Sequence, residues 1–262
     1  MTDKPSITLV CCGVLGTLVA DDGLIERSFA EAIATQGVVS GTSAYARRMA
    51  QVHRLRGQGP GDVLRALFPD NEARAQAAQL AFDRALFDAI RRADVCPVPG
   101  VRQVLDGLSA VGCRTAVVTA LPRRILTLVL DNAGWRDSFD VTLSAEDVAR
   151  GLPSPDLPLT AMLRVGTPDV REIGVVHGTG AGMESGRRAG AGLIAGVLTG
   201  PHAAARLRSA GATHVMRSIA DLPAILATHG QDLTLEGNAP GPPAQRLPER
   251  GGAPLTRNDV IA

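Results

Sequence analysis

Lysine is nearly missing from this chain: of its 27 basic residues only Lys4 is not arginine. Mechanisms that need a buried lysine as Schiff-base former, nucleophile or phosphate clamp therefore have no candidate. Aromatic residues make up 3% of the sequence, so the core must be built from Ala, Val, Leu and Ile. Cysteine is scarce too. Cys11, Cys12, Cys96 and Cys113 form neither a CxxC nor any metal-ligand spacing, which argues against a disulfide scaffold. No apolar run reaches the roughly 18 residues of a membrane span, and the first residues lack a signal peptide's charged start, long apolar stretch and cleavage site. The reading is a cytoplasmic protein. There is no surplus of charge: 27 basic against 26 acidic residues leave +1, which speaks against a nucleic-acid or anionic-membrane binder.

What is present is a regular alternation. The 262 residues, 45% hydrophobic, suffice for one large domain or two smaller ones. Short apolar runs at residues 7–12, 115–119, 141–143, 173–177, 193–198 and 214–216 alternate with helical patterns. That pattern predicts an α/β fold, a Rossmann-like parallel sheet. Residues 22–92 hold no strand-like run, and the helical cap is set at 21–92. They predict an all-helical insertion of four helices: one carrying Leu24, Ile25, Phe29 and Ile33, one over 45–52, one over 63–68, and a long one begun by Asn71 with Ala73, Ala77, Leu80, Leu86 and Ile90 on its apolar face. Residues 1–20 and 93–230 then form the core. Ser154 with Pro155, and Asp221 before Leu222 and Pro223, read as helix starts. The Pro/Gly-rich stretch 231–262 reads as a disordered tail or tether.

Ligands in open α/β sheets bind beyond the carboxyl ends of the strands. Here those ends are Gly13-Val14-Leu15-Gly16-Thr17-Leu18, Thr119-Ala120-Leu121-Pro122-Arg123, Gly151-Leu152-Pro153-Ser154-Pro155-Asp156, and Gly178-Thr179 continuing to Glu184-Ser185-Gly186-Arg187-Arg188-Ala189-Gly190. In order and spacing these segments resemble the four motifs of the haloacid dehalogenase superfamily, and most of all its phosphonatase-like branch, whose helical cap follows the first strand. Lesser similarities lie at Gly134-Trp135 and at residues 144–148, 196–200 and 218–223. The resemblance spans about residues 6–229.

The resemblance implies a hydrolase that uses an aspartate nucleophile and Mg²⁺, yet the residues that would do this work differ. The nucleophile position is Gly13. The acid/base position two residues on is Leu15. The motif Lys or Arg position is Leu152. The Mg²⁺-binding positions are Gly178 and Gly182, and the cap's Schiff-base lysine matches His53. A carboxylate nucleophile splits phosphoryl transfer into two easier steps, and Mg²⁺ is held by carboxylate oxygens. Glycine and leucine supply neither. With the carboxylates gone, a cation at 152 would be uncompensated in a closed pocket, and Leu152 removes it. The expectation is that the family's metal site is lost, with no cofactor.

What survives is an anion-friendly frame. Gly16, Thr17, Gly178 and Thr179 offer backbone N–H groups, Thr119 a hydroxyl, and Arg123 a phosphate or carboxylate clamp. His177 and His53 are the acid/base candidates. Each also has a plainer reading. Thr17 and Thr119 fit turn capping, Arg123 beside Arg124 fits a solvated helix start, and His53 among Arg47, Arg48, Arg54 and Arg56 fits a solvated face. Cys12 precedes position 13 but points to the opposite side of the strand. Three functions stay open. The first is a catalytically degenerate protein that binds a small anionic or neutral metabolite or a protein partner. The second is a repurposed metal-free enzyme using His177, His53, Thr179 or Arg123. The third is a still-active phosphatase or phosphonatase, for which Asp21 and Asp22 lie too far along the chain. A homodimer is compatible with all three.

Overall fold

The structure is a computed structural model that describes residues 6–92 and 95–229. The expected tail at 231–262 and the insertion's boundary at 93–94 lie outside the described residues.

Six strands form one sheet: β1 (Leu9–Cys12), β2 (Arg114–Val118), β3 (Val141–Leu143), β4 (Ile173–His177), β5 (Leu193–Val197) and β6 (His214–Met216). Their spatial order is β3-β2-β1-β4-β5-β6, and every neighbouring pair is parallel. The apolar runs thus become the strands the sequence predicts, within a residue or two at each end. They are short, and the central strands β1, β4 and β5 are buried throughout, as parallel strands between helical layers must be, while the edge strands β3 and β6 are partly exposed. Along β1 the side chains alternate: Val10 and Cys12 join one apolar cluster, Leu9 and Cys11 the other. Helices α5 (Val101–Ala110), α6 (Arg123–Asn132) and α10 (Leu222–Ala227) contribute to the first cluster; α7 (Asp156–Val165), α8 (Gly180–Ala189) and α9 (Ala204–Ser209) contribute to the second. The chain winds outward one way from β1 and the other way from β4. This places a topological switch point at the carboxyl ends of those two strands.

Four helices occupy the chain between β1 and α5: α1 (Leu24–Thr35), α2 (Ser43–Leu55), α3 (Pro60–Leu67) and α4 (Glu72–Arg92). Thr42 caps α2 by accepting the Tyr45 N–H at 3.2 Å, and Asn71 starts α4 by accepting the Arg74 N–H at 2.9 Å. The apolar face of α4 differs from the expected one. Ala73, Ala77 and Leu80 are exposed, and the buried stripe runs through Ala75, Ala78, Phe82, Ala85, Leu86 and Ile90. Both sets recur at helical spacing. The one that includes Phe82 is buried, with its ring 4.4 Å from that of Phe29 in α1.

Two expected caps also differ. Helix α7 begins after Pro155 without a side-chain cap. Ser154 sits in the preceding turn, its N–H on the Gly151 carbonyl and its own carbonyl accepting the Ser185 hydroxyl. Asp221 makes no side-chain cap for α10 because its carboxylate accepts the Arg217 N–H at 2.9 Å. Among the described residues, no helix is long and apolar enough to cross a membrane.

Candidate functional site

The loops after β1, β2 and β4 meet the α1–α4 helices around a cavity of about 70 Å³. Its lining includes Leu15, Thr119, Leu152, His177 and Thr179 from the predicted set, and Asp21, Ile25, Phe29, Arg56, Gln58 and Phe82 from the insertion side. The insertion is pressed close here. A Cβ on Gly57, whose φ is +97°, would lie 2.4 Å from the Thr179 hydroxyl oxygen. Only glycine combines that dihedral with that approach.

His177 organises the floor. The register pairs Cys12 with Val176, and the Gly13 N–H continues the ladder onto the Val176 carbonyl at 2.9 Å. Gly13 therefore lies beside His177. The imidazole fills the space a side chain at 13 would need: a Cβ there would sit 2.7 Å from Nε2. It also fills the space above α8, where a Cβ on Gly182 would sit 2.3 Å from Cγ. Gly178 is closed off in another way, since its Cβ would meet the Gly16 carbonyl and the Gly200 backbone, both at 2.7 Å.

The protonation state of His177 follows from its partners. Nδ1 accepts the Thr179 N–H at 3.2 Å, with the Thr179 hydroxyl at 3.1 Å. A neutral imidazole that accepts at Nδ1 carries its proton on Nε2. Burial, with His202 nearby as a second influence, depresses the pKa from the ordinary 6.5 to about 4. His177 is therefore neutral near pH 7, and Nε2–H has no protein acceptor among the described residues. Thr179 is also the N-cap of α8, accepting the Gly182 N–H at 3.2 Å.

The remaining predicted residues serve other contacts. Thr17 is fully buried and accepts the Gly178 N–H at 3.0 Å. Gly16, at φ +74°, accepts the Thr199 hydroxyl on its carbonyl. Neither lines the cavity. Thr119 does, and its hydroxyl accepts the Leu121 N–H at 3.2 Å. Arg123 is committed elsewhere, paired with Asp147 and donating to the Thr142 carbonyl at 3.2 Å. His53 lies outside the cavity in a neighbouring cleft, with Glu26 at 3.5 Å. Cys12 is buried away from the cavity, its thiol pushed up to about 12 by burial.

Sequence reasoning missed Arg56 and Asp21. Arg56 ends the arginine run expected to be solvated, yet it is only 8% exposed and paired with Asp21, itself 13% exposed, with Glu26 at 3.7 Å. The signal was the Gly57 that follows, which turns the chain onto the strand ends. No other ionised side chain lines the cavity among the described residues. The donor set does not fit Mg²⁺: the one lining carboxylate, Asp21, is engaged by Arg56, and positions 13, 178 and 182 have no room for another. Among the described residues, no group of three or more His, Cys, Asp or Glu is placed to hold a metal ion.

Compared with known families, residues 16–195, more than half of the chain, match the model of the haloacid dehalogenase-like hydrolase. The chain belongs to this family. Curated relatives within it include the phosphonoacetaldehyde hydrolase of Bordetella pertussis, 30% identical over 154 residues, 50% of this chain and 56% of the relative. Over that alignment the chain spans about half the length of the relative. The phosphonoacetaldehyde hydrolase of Bordetella avium is 28% identical over 240 residues, 77% of this chain and 82% of the relative. Among solved structures, a phosphonoacetaldehyde hydrolase like protein from Oleispira antarctica superposes with a TM-score of 0.76 at 20% identity, covering 87% of this chain and 94% of its own. That likeness extends the family assignment to the fold.

Proposed function

We propose that this member of the family does not hydrolyse phosphate or phosphonate bonds with an aspartate and Mg²⁺, and that it uses the cavity at the β1–β4 switch point to bind a small molecule. One observation carries this reading: the His177 ring occupies the volume that side chains at 13 and 182 would need. On this reading the positions that match the family's nucleophile and metal ligands are filled as well as substituted, and a side chain at 13 or 182 would have to displace the His177 ring. Leu152 adds an apolar wall where a charge-balancing cation would stand, consistent with a neutral pocket. A cytoplasmic location suits this reading.

A second reading, metal-free chemistry in the same cavity, draws on the uncommitted Nε2–H of His177. A neutral imidazole held well below its ordinary pKa donates a hydrogen bond but is a weak proton acceptor at neutral pH, so binding is the stronger conclusion. The test is release of inorganic phosphate from p-nitrophenyl phosphate and from phosphonoacetaldehyde, the compound named in the relatives, with and without Mg²⁺. No Mg²⁺-dependent release is expected. Release that requires Mg²⁺ and persists through repeated purification would overturn the reading.

A further inference from the structure

We infer that the ligand of this cavity is an uncharged, compact molecule bearing a carbonyl-type hydrogen-bond acceptor, and that His177 Nε2–H grips that acceptor. The inference rests on the binding role proposed above and adds the chemistry of what is bound.

Charge comes first. Arg56 and Asp21 are the two ionised side chains on the lining and they neutralise each other. An anion entering here would have to break that pair or be desolvated without a counter-ion, and either is costly away from water. A phosphate or carboxylate therefore fits poorly.

Size comes second. The cavity, at about 70 Å³, has room for more than a single buried water. That suits a compact small molecule. Leu15, Ile25, Phe29, Phe82, Leu121 and Leu152 form its apolar walls, which favour a hydrocarbon body.

Polarity comes third. His177 is the last residue of β4 and Thr119 follows the end of β2, the two strands flanking β1. Nδ1 takes the Thr179 N–H, and Thr119 Oγ1 takes the Leu121 N–H on one of its two lone pairs. Each has a proton left to give. The floor thus offers donors on both sides of Gly13, and a carbonyl oxygen with two lone pairs is the complementary group.

The experiment titrates the full chain with cyclopentanone, butyramide, cyclopentane, butyrate and inorganic phosphate. The readouts are the melting temperature and the ¹⁵N resonance of the His177 side chain. Cyclopentanone and butyramide are expected to raise the melting temperature and move the Nε2 resonance. Cyclopentane, which lacks the acceptor, should bind roughly tenfold more weakly, the worth of one hydrogen bond. In His177→Phe the gap between cyclopentanone and cyclopentane should close. The resonance in the unmodified protein decides the matter should that variant not fold. Tighter binding of butyrate or phosphate, equal binding of cyclopentanone and cyclopentane, or no response to the panel overturns the inference. Those outcomes differ from Mg²⁺-dependent phosphate release, which overturns the binding role itself.

Discussion

His177 shows how much one side chain determines here. It is buried, locked at Nδ1 by Thr179, and held neutral by the cost of charging an imidazole out of water. The first turn of α8 adds to that cost, because a helix N-terminus disfavours a cation. Its pKa falls from 6.5 in the unfolded chain to about 4 in the folded one. The unfolded state therefore takes up a proton first, and the stability from this site is full above pH 6.5 and lost as the pH falls toward 4. Between pH 7 and pH 5 the loss should be about 2 kcal/mol. His202, also lowered chiefly by burial, acts in the same direction. Urea midpoints measured across this range check the slope, and His177→Gln should flatten it. In the sequence, His177 was one candidate at a strand end. Its neutrality was not legible there, because it depends on burial and on which backbone N–H reaches Nδ1.

At the scale of elements, all six strands were legible from short apolar runs, and the four helices after β1 from apolar spacing. Both patterns reflect which faces must leave water. The ends and faces were less secure where two patterns compete. Ala73, Ala77 and Leu80 recur at helical spacing as well as Ala75, Ala78 and Phe82 do, and only packing against α1 selects between them. The loops after β1 and β4 are joined by one bond that no local pattern announces, from the Gly178 N–H to the Thr17 hydroxyl. Thr17→Val keeps the shape but leaves that buried N–H without an acceptor. The expected cost is about 1–3 kcal/mol in urea unfolding. Thr17→Ser, which retains the hydroxyl, should cost less.

Across the whole molecule, the helical insertion meets the rest of the chain in several places, among them Gly57 against Thr179 and the Asn132 side chain on the Ile90 carbonyl at 3.2 Å. Within the insertion, Arg56 pairs with Asp21, and the pair stands between the inner cavity and the outer cleft holding His53 and Cys96, since both residues line both spaces. Asp21→Asn would leave the Arg56 guanidinium buried with only Glu26, at 3.7 Å, beside it. The expected loss is about 2–4 kcal/mol, read by thermal unfolding, and adding Arg56→Met should recover part of it. Sequence reading missed this contact because Arg56 closes a run of charges that otherwise behave as a solvated face, and its burial is created by a glycine turn bringing distant segments together. The interlock at the floor bears on mutational history. Asp at 13 or at 182 collides with His177 while that ring stays in place, and replacing His177 first empties a buried site and unbinds Thr179. A carboxylate at 13 or at 182 thus cannot be introduced by one substitution without either a clash or an emptied site. His177 works as a latch: two positions far apart in the chain can change only together with a third.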